Sequence, residues 1–366
     1  MNFKNTFKKS TLALTLLAAM GSTSLSYADR DHHHGKSGSG NQYFERISTF
    51  PVYLNSDISN ETVAEIVASA NHGNTLIYTD SAMGKIGFVD ISNIKTPAAA
   101  GTVDVSGEPT SVAVINQYAL AAVNTSVDYV NTSGNLVVID TDSQTIIHTI
   151  PLAGQPDSIA ISPDGQYAAI VIENERDEDL GDGAPPQAPA GLMQIVDLNG
   201  TPDQWTLRNV ALTGLADLYA DDPEPEYVDI NQHNIAVITL QENNHIVLLD
   251  LASGEITNHF SAGSVDLKNV DSKKDSLIHL TDNLDNRLRE PDGISWMGNN
   301  RFATANEGDL DGGSRGFSVF DKSGNVIWDA GNMLEHLAAR FGHYPDARAE
   351  NKGNEPENVA YGIYGE

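Results

Sequence analysis

The sequence predicts an all-β fold that is assembled from one repeated unit. Each unit opens with an acidic or amide residue and a proline, runs through two short apolar strands, and ends the second strand in Asn or Glu. A further strand closed by Asp follows most units, and these aspartates recur roughly every 50–70 residues, which indicates a repeat architecture. Several short strands per repeat, with almost no helical periodicity, are typical of a β-propeller with four-stranded blades of the YVTN/WD40-like kind. The units begin at Glu108-Pro109, Gln155-Pro156, Glu224-Pro225, Glu290-Pro291 and Glu355-Pro356.

The local sequence of each unit fits this fold. Proline at the first position of a strand removes no ladder hydrogen bond. Ser162-Pro163-Asp164-Gly165 is a turn, because proline presets φ and glycine supplies a positive φ. The first blade contains residues 65–68, 75–80 and 85–90, and we expect the following blades to end near residues 153, 213, 262 and 330.

Three long segments interrupt the repeat and are expected to carry function, since binding residues concentrate on long loops. They are residues 174–191, which are acidic and proline-rich, residues 262–288, which are polar, and residues 331–354, in which Met333, Leu334, Leu337 and Phe341 predict a helix. Residues 355–366 open another blade and stop within it. We therefore expect a propeller of the seven-bladed type whose last blade is truncated in this chain.

The N-terminus predicts export. Lys4, Lys8 and Lys9 precede a short apolar run at residues 12–20, and Ser26-Tyr27-Ala28 offers the small residues that a signal peptidase reads. We assign residues 1–28 to a signal peptide cleaved after Ala28, residues 29–42 to a flexible linker and residues 43–366 to the propeller, in a periplasmic or secreted protein. His32, His33 and His34 in the linker could bind a transition metal, but a solvated linker is the simpler interpretation.

Charge and composition exclude several functions. The formal net charge of −29 becomes −32 after cleavage, because the signal peptide removes three lysines and no acidic residue. Such a surface repels nucleic acid and anionic lipid. The chain has no cysteine, hence no disulfide, thiolate nucleophile or Cys-based metal site. The apolar run is also too short to span a membrane.

Equivalent positions of successive blades should lie on one ring of a propeller. The strand ends then bring together carboxylates and amides, which are the ligands that Ca²⁺ prefers. The candidate metal ligands are Glu173, Glu175, Glu242, Glu307 and Asp309, beside amides such as Asn124, Asn174, Asn243, Asn244 and Asn306. A second set lies at the strand starts: Glu108, Glu226, Glu290, Asp292, Glu355 and Glu357. Alternatively, each residue only satisfies a turn and faces solvent.

Basic residues are scarce, so the arginines near these positions are candidates for binding an anion. Arg176, Arg289 and Arg315 could hold a phosphate bidentately, or could simply pair with neighbouring carboxylates. Arg315 lies in Gly312-Gly313-Ser314-Arg315-Gly316, which matches the nucleophile-elbow pattern. An elbow needs a strand before the serine and a helix after it, and here a strand follows, so Ser314 is rejected as a nucleophile.

The chain resembles the exported bacterial propellers of the "esterase-like activity of phytase", or alkaline phosphatase-like, family and the related choice-of-anchor propellers. The resemblance rests on Gly107 to Val114, Gly154 to Asp179, Glu224 to Tyr227, Thr239 to Asn244, Arg289 to Gly293, Ala305 to Phe317, Gly342 to Pro345 and Lys352 to Glu357. It implies an exported propeller of the seven-bladed type and a metal-dependent phosphoesterase activity.

Two functions follow as hypotheses. In the first, the protein hydrolyses small phosphate esters with bound Ca²⁺, with Glu242 and Glu307 as ligands or acid/base groups and with Arg176, Arg289 and Arg315 binding phosphate. In the second, it is a non-catalytic propeller with structural calcium that binds a surface glycan or protein. The fold alone does not decide between them.

Overall fold

The computed structural model describes residues 45–364, and this range forms five four-stranded antiparallel sheets, one two-stranded sheet and one α-helix. The predicted signal peptide, the linker and His32, His33 and His34 lie outside the described residues. Each four-stranded sheet is a blade whose strands follow sequence order. Blade 1 contains β1 (Ala64–Ala70), β2 (Thr75–Asp80), β3 (Lys85–Asp90) and β4 (Ala98–Asp104); blade 2 contains β5 (Glu108–Ile115), β6 (Tyr118–Asn124), β7 (Gly134–Asp140) and β8 (Thr145–Leu152).

The remaining blades repeat this arrangement. Blade 3 contains β9 (Pro156–Ile161), β10 (Tyr167–Ile172), β11 (Leu192–Asp197) and β12 (Thr206–Ala211); blade 4 contains β13 (Pro225–Ile230), β14 (Ile235–Leu240), β15 (His245–Asp250) and β16 (Glu255–Ser261); blade 5 contains β19 (Ile294–Trp296), β20 (Arg301–Asn306), β21 (Gly316–Asp321) and β22 (Val326–Asp329). Blades 2 to 5 end within two residues of the boundaries that the sequence predicts. The fold is a β-propeller.

The hydrophobic core lies between consecutive blades rather than in one centre. Four clusters of buried side chains fill the spaces between blades 1 and 2, 2 and 3, 3 and 4, and 4 and 5. A middle strand therefore buries both of its faces, which explains unbroken apolar runs such as that of β10. The last interface is aromatic: the ring centroids of Phe302 and Phe320 lie 5.7 Å apart, and Trp296 meets Phe302 edge to face.

Two of the interrupting segments contain regular structure. Residues 262–288 were expected to form a polar loop, but they form the two-stranded sheet of β17 (Ser264–Val270) and β18 (Asp282–Leu288). That expectation was wrong because polar side chains can occupy both faces of a solvated hairpin. The predicted helix in residues 331–354 is present as α1 (Met333–Phe341). No helix among the described residues has the length and apolar character needed to cross a membrane.

The face of α1 that is buried is not its apolar one. Phe341 is largely exposed, whereas Glu335 is fully buried. The Glu335 carboxylate lies 3.5 Å from Nη1 of Arg315 and accepts a hydrogen bond from the hydroxyl of Tyr344. Arg315 and Tyr344 also donate to the carbonyl of Asp271, which precedes the turn of the β17–β18 hairpin. These buried polar interactions connect α1 to blade 5 and to the β17–β18 hairpin.

The first strands of successive blades pack against one another, as do the inner strands that line the central channel of a propeller. Each of the first four has an irregularity in its pairing with the second strand, and it falls at the same place. The residues at this place are Glu65, Thr110, Asp157 and Glu226, each one position after Ala64, Pro109, Pro156 or Pro225. Bulges of this kind redirect side chains and are frequent next to functional sites.

Candidate functional site

The irregular position supplies a ring of carboxylates to the channel. In blade 5 the equivalent residue is Asp292, two positions before Ile294, and in the extended segment that follows it is Glu357. We call Glu65, Asp157, Glu226, Asp292 and Glu357 the carboxylate ring. Thr110 of blade 2 is the uncharged member of the series. The Asp157 carboxylate is influenced electrostatically by Glu65, and that of Asp292 by Asp157, so charges from alternate blades meet across the channel.

Three carboxylates come close enough to share one ion. Oxygens of Asp157, Glu173 and Glu226 all lie within 4.8 Å of one another, and we call these residues the channel cluster. Asp157 and Glu226 belong to the ring, and Glu173 comes directly after β10. Glu173 is buried, while Asp157 and Glu226 keep partial exposure, as expected for side chains that line a narrow channel.

The electrostatics of the channel cluster disfavour three free negative charges. Burial, followed by the charges of Glu175 and Glu65, raises the pKa of Asp157 to about 7. Burial also raises the pKa of Glu173 well above its usual value, with Glu175 and Asp157 adding to the effect. The pKa of Glu226 is raised in the same way by burial and by Glu173 and Asp157. A cation would remove this repulsion, whereas without one the raised pKa values favour the protonated carboxyl groups.

A buried arginine lies beside the channel cluster. Arg176 is only 5% exposed, and its Nη1 lies 2.8 Å from Glu224 and 2.9 Å from Glu242, while its Nη2 contacts Asp309. Burial alone would lower the pKa of Arg176, but these three carboxylates raise it. Three blades therefore meet at one guanidinium.

Asp309 links that arginine to a second cation. Its carboxylate also accepts a hydrogen bond from Nζ of Lys352, in the segment after α1. Burial would raise the pKa of Asp309, but Lys352 and Arg176 lower it overall. Asp309 is thus held as a carboxylate between two positive charges, so it is already neutralised and is a poor candidate for a metal ligand.

The other predicted carboxylates lie in the same region. Oε2 of Glu307 accepts from the side-chain amide of Gln241, and the pKa of Glu307 is raised chiefly by burial. Oε2 of Glu175 accepts from the side-chain amide of Gln155 at 3.2 Å, and burial raises its pKa as well. Burial and Glu224 raise the pKa of Glu242 well above its usual value. Glu224 Oε1 and Glu242 Oε2 are buried and have no hydrogen-bond partner within the described residues.

The other two predicted anion-binding arginines are, like Arg176, engaged by contacts within the protein. Arg289 donates to Asp329, to Ser318 and to the carbonyl of Ala262, and its guanidinium lies 5.7 Å from the centroid of Phe320. Arg315 is 1% exposed and donates to backbone carbonyls of the hairpin and of the segment after α1. Within the described residues, neither these two arginines nor Arg176 forms an ion pair with the channel cluster. Glu242, a partner of Arg176, is electrostatically coupled to Glu173 and Glu226, so we retain Arg176 near the site.

The amides at the strand ends hold loops together rather than face a ligand. Oδ1 of Asn174 accepts from the backbone of Gln155, and Oδ1 of Asn243 accepts from the backbone of Glu224. Oδ1 of Asn244 accepts from the backbones of Arg289 and Glu290. The turn-satisfying alternative therefore describes these amides, and the carboxylates next to them form the candidate site.

Sequence reasoning from strand ends identified Glu173 but missed Asp157 and Glu65, and it noted Glu226 and Asp292 only as a second set. The signal was present, because Pro156-Asp157, Pro225-Glu226, Pro291-Asp292 and Pro356-Glu357 share one spacing. Aligning the residue that follows each proline would have found four of the five ring members. Glu65 follows an alanine and needed the strand register.

The channel cluster fits a hard divalent cation. Ca²⁺ takes six to eight oxygen ligands from carboxylates, carbonyls and water, and it tolerates irregular geometry. Three carboxylate oxygens that share one small volume supply the charge, and water can complete the shell. Among the described residues, Asp157, Glu173 and Glu226 form the group of potential ligands whose side-chain atoms lie close enough together to share one ion.

Solved structures show distant likenesses. The Kuenenia stuttgartiensis hydrazine synthase matches at 15% identity and a TM-score of 0.40 over 50% of this chain and 52% of that one, so the chain spans about half the length of that protein. The periplasmic gluconolactonase of Pseudomonas aeruginosa matches at 14% identity and a TM-score of 0.47 over 73% and 69% of the two chains. A chain of a nidogen/laminin complex matches at 11% identity and a TM-score of 0.46 over 73% and 80%.

The family is established by sequence. Comparison with curated proteins gives no match. The family model of the choice-of-anchor I domain matches residues 65–312 and 310–366, which is most of the chain and includes every residue of the carboxylate ring and the channel cluster. This protein is a β-propeller that belongs to the choice-of-anchor I domain family.

Proposed function

We propose that this propeller binds Ca²⁺ at Asp157, Glu173 and Glu226 and that the calcium-loaded channel hydrolyses phosphate esters. The observation that carries the proposal is the convergence of these three carboxylates within 4.8 Å, in a wider acidic network that contains Arg176 and Lys352. Perturbed carboxylates concentrated in one channel are typical of functional sites.

The residues have distinct roles in this proposal. The channel cluster holds the cation, which supplies a Lewis acid for a phosphoryl oxygen. Arg176 is paired with Glu242, whose charge acts on Glu173 and Glu226, and in this proposal it orients the phosphate bidentately. Glu242 and Glu307, both with raised pKa values, are the candidate proton carriers.

The test combines binding and turnover. Calorimetry should show saturable Ca²⁺ binding that Glu226→Gln weakens, and chromogenic phosphomonoesters and phosphodiesters should be hydrolysed with Ca²⁺ and not after chelation. Glu255→Gln is the matched control, because Glu255 is an exposed residue of β16 in the same blade. Unchanged calcium binding in E226Q refutes the metal site. Unchanged turnover in E242Q and E307Q refutes the two proton carriers.

A second candidate, a non-catalytic propeller with structural calcium, is favoured by one observation. Arg176 and Lys352 are both already paired with carboxylates. A phosphate would therefore have to displace Asp309 or Glu242 before it could bind there. Calcium that raises the melting temperature while turnover is absent would support this candidate, in which the loops bind a surface glycan or protein.

We place the protein outside the cytoplasm. The N-terminal sequence pattern and membership of a choice-of-anchor family both support a periplasmic, secreted or surface location. Millimolar extracellular calcium suits a moderate-affinity site of a few carboxylates. Export is tested by the N-terminal sequence of the protein recovered from the producing cells, which should begin at Asp29.

A further inference from the structure

A pair of histidines lies on blade 4, apart from the carboxylates of the channel. His245 begins β15 and His259 lies in the neighbouring β16. Because Val247 pairs with His259, and His245 pairs with Ser261, the two histidines are diagonal neighbours on one face of the sheet. Nε2 of His245 and Nδ1 of His259 are 3.0 Å apart, and the ring centroids are 5.3 Å apart.

The pair combines a buried ring with an accessible one. His245 is 3% exposed, whereas His259 is exposed. Nδ1 of His245 is buried without a hydrogen-bond partner in the described part of the chain. Nε2 of His245 is hydrogen-bonded to His259, whereas a buried polar nitrogen without a partner costs folding free energy, so the hydrogen bonding of this ring is only half satisfied.

We propose that His245 and His259 form a binding site for a divalent transition metal of the Cu²⁺ or Ni²⁺ class. Imidazole nitrogen is the ligand that these ions prefer over the oxygen-binding Ca²⁺. The site is independent of the carboxylates of the channel cluster and of the phosphoesterase proposal.

The separation of the two nitrogens selects the class of ion. With metal–nitrogen bonds of about 2.1 Å, two nitrogens 3.0 Å apart subtend an angle of about 90° at the metal. That angle fits adjacent positions of a square-planar or octahedral ion. Tetrahedral Zn²⁺ would need the nitrogens about 3.4 Å apart. The two nitrogens already face each other across a hydrogen bond, and the ion would replace the proton between them.

The surroundings keep the ligand in its binding form. Burial, and then the neighbouring His259, lower the pKa of His245 to about 4, while Asp217 acts in the opposite direction. His245 is therefore neutral at pH 7, which is the form of histidine that binds metals. Asp217, on the connection between β12 and β13, adds negative charge near the site, and water can fill the remaining positions.

The experiment is a titration of the untagged protein with Cu²⁺ in excess Ca²⁺, followed by calorimetry and by electron paramagnetic resonance. The background carries H32Q, H33Q and H34Q, which removes the competing histidines of the linker. We expect one saturable Cu²⁺ with nitrogen coupling in its spectrum. Since loss of an outer-shell partner alone costs about 10–100-fold in affinity, His259→Gln should weaken binding by about 100-fold or more.

The controls separate the site from folding and from other histidines. His233→Gln, at an exposed residue between β13 and β14 of the same blade, should leave Cu²⁺ binding unchanged. Because His259 is exposed, H259Q should keep its melting temperature, and melting curves check this. Equal binding in H259Q and its background, or no nitrogen coupling in the background protein, overturns the proposal.

Discussion

Replacing Arg176 by methionine tests whether the charges around the site are energetically coupled. Arg176 is 5% exposed and serves Glu224, Glu242 and Asp309 at once. Removing one member of a buried ion pair leaves the other charge uncompensated and typically costs about 3–5 kcal/mol. Methionine keeps much of the length of the side chain, so the loss of packing contributes little to this figure.

The cost should depend on pH, because the stranded carboxylates can take up protons. Burial already raises the pKa of Glu224 to about 7 with Arg176 present. Without the arginine the folded-state pKa values rise further, so the folded protein binds more protons than the unfolded chain, and its stability falls as pH rises. R176M should therefore approach the wild type near pH 5 and show the full loss at pH 8.

The assay is thermal and urea unfolding at pH 5 and pH 8 with EDTA present. Each kcal/mol shifts the melting temperature of a large domain by about 2–4 °C, so a fall of about 10 °C is expected at pH 8. Arg208→Met is the matched control, since Arg208 is 33% exposed and its bridge to Asp197 should contribute about 1 kcal/mol or less. A loss in R176M no larger than in R208M, or one that does not change with pH, would refute the coupling.

Three further substitutions test individual contacts. Burial raises the pKa of Glu290 to about 7, so ionisation of this carboxyl group opposes folding above about pH 4.5. Glu290→Gln should therefore raise the free energy of unfolding by about 3 kcal/mol at pH 8 and leave it unchanged at pH 4, as measured by urea unfolding. Gly353 and Gly331 have similar positive φ angles, +64° and +53°, but only at Gly353 would a Cβ clash, since it would lie 2.1 Å from Oε1 of Glu335. Gly353→Ala should therefore have a lower melting temperature than Gly331→Ala, and equal melting temperatures would exclude the clash. Phe320→Ala should lower the free energy of unfolding by about 3–5 kcal/mol, because the ring of Phe320 is fully buried. Phe341 is largely exposed, so Phe341→Ala should lower it by only about 0.5 kcal/mol, and equal losses would contradict the aromatic interface.

The blades were predictable from sequence because each is defined by local signals. Pro156 opens a strand, Gly165 makes a turn, and Asp197 closes a strand, and each signal recurs in other blades. The β17–β18 hairpin was missed since its strands bury few apolar side chains and so lack the alternation on which the prediction depends.

The site was predictable only in part. The sequence shows that Arg289 and Arg315 are rare basic residues near acidic motifs. It does not show which acceptors their guanidinium groups bind in the folded protein. Both donate to neighbours that are distant in sequence, such as Asp329 for Arg289 and Asp271 for Arg315. Glu335 was likewise invisible, because a helix is expected to bury its apolar face and not a carboxylate.

The carboxylate ring shows how a repeat can build a site that no single motif encodes. One irregular position in each of blades 1 to 4 turns a side chain into the channel. The repeat alone then brings an acid at that position next to the acids of other blades. Each negative charge then makes ionisation of the neighbouring carboxyl groups less favourable. Without a cation this repulsion destabilises the folded protein, and it is seen in the raised pKa values of Asp157 and Glu226. If this position only faced solvent, mutually repelling acids would give it no advantage. An uncharged residue is compatible with the same backbone, as Thr110 shows. The recurrence of acids where they destabilise one another is the physical argument for our proposal that this channel holds a cation.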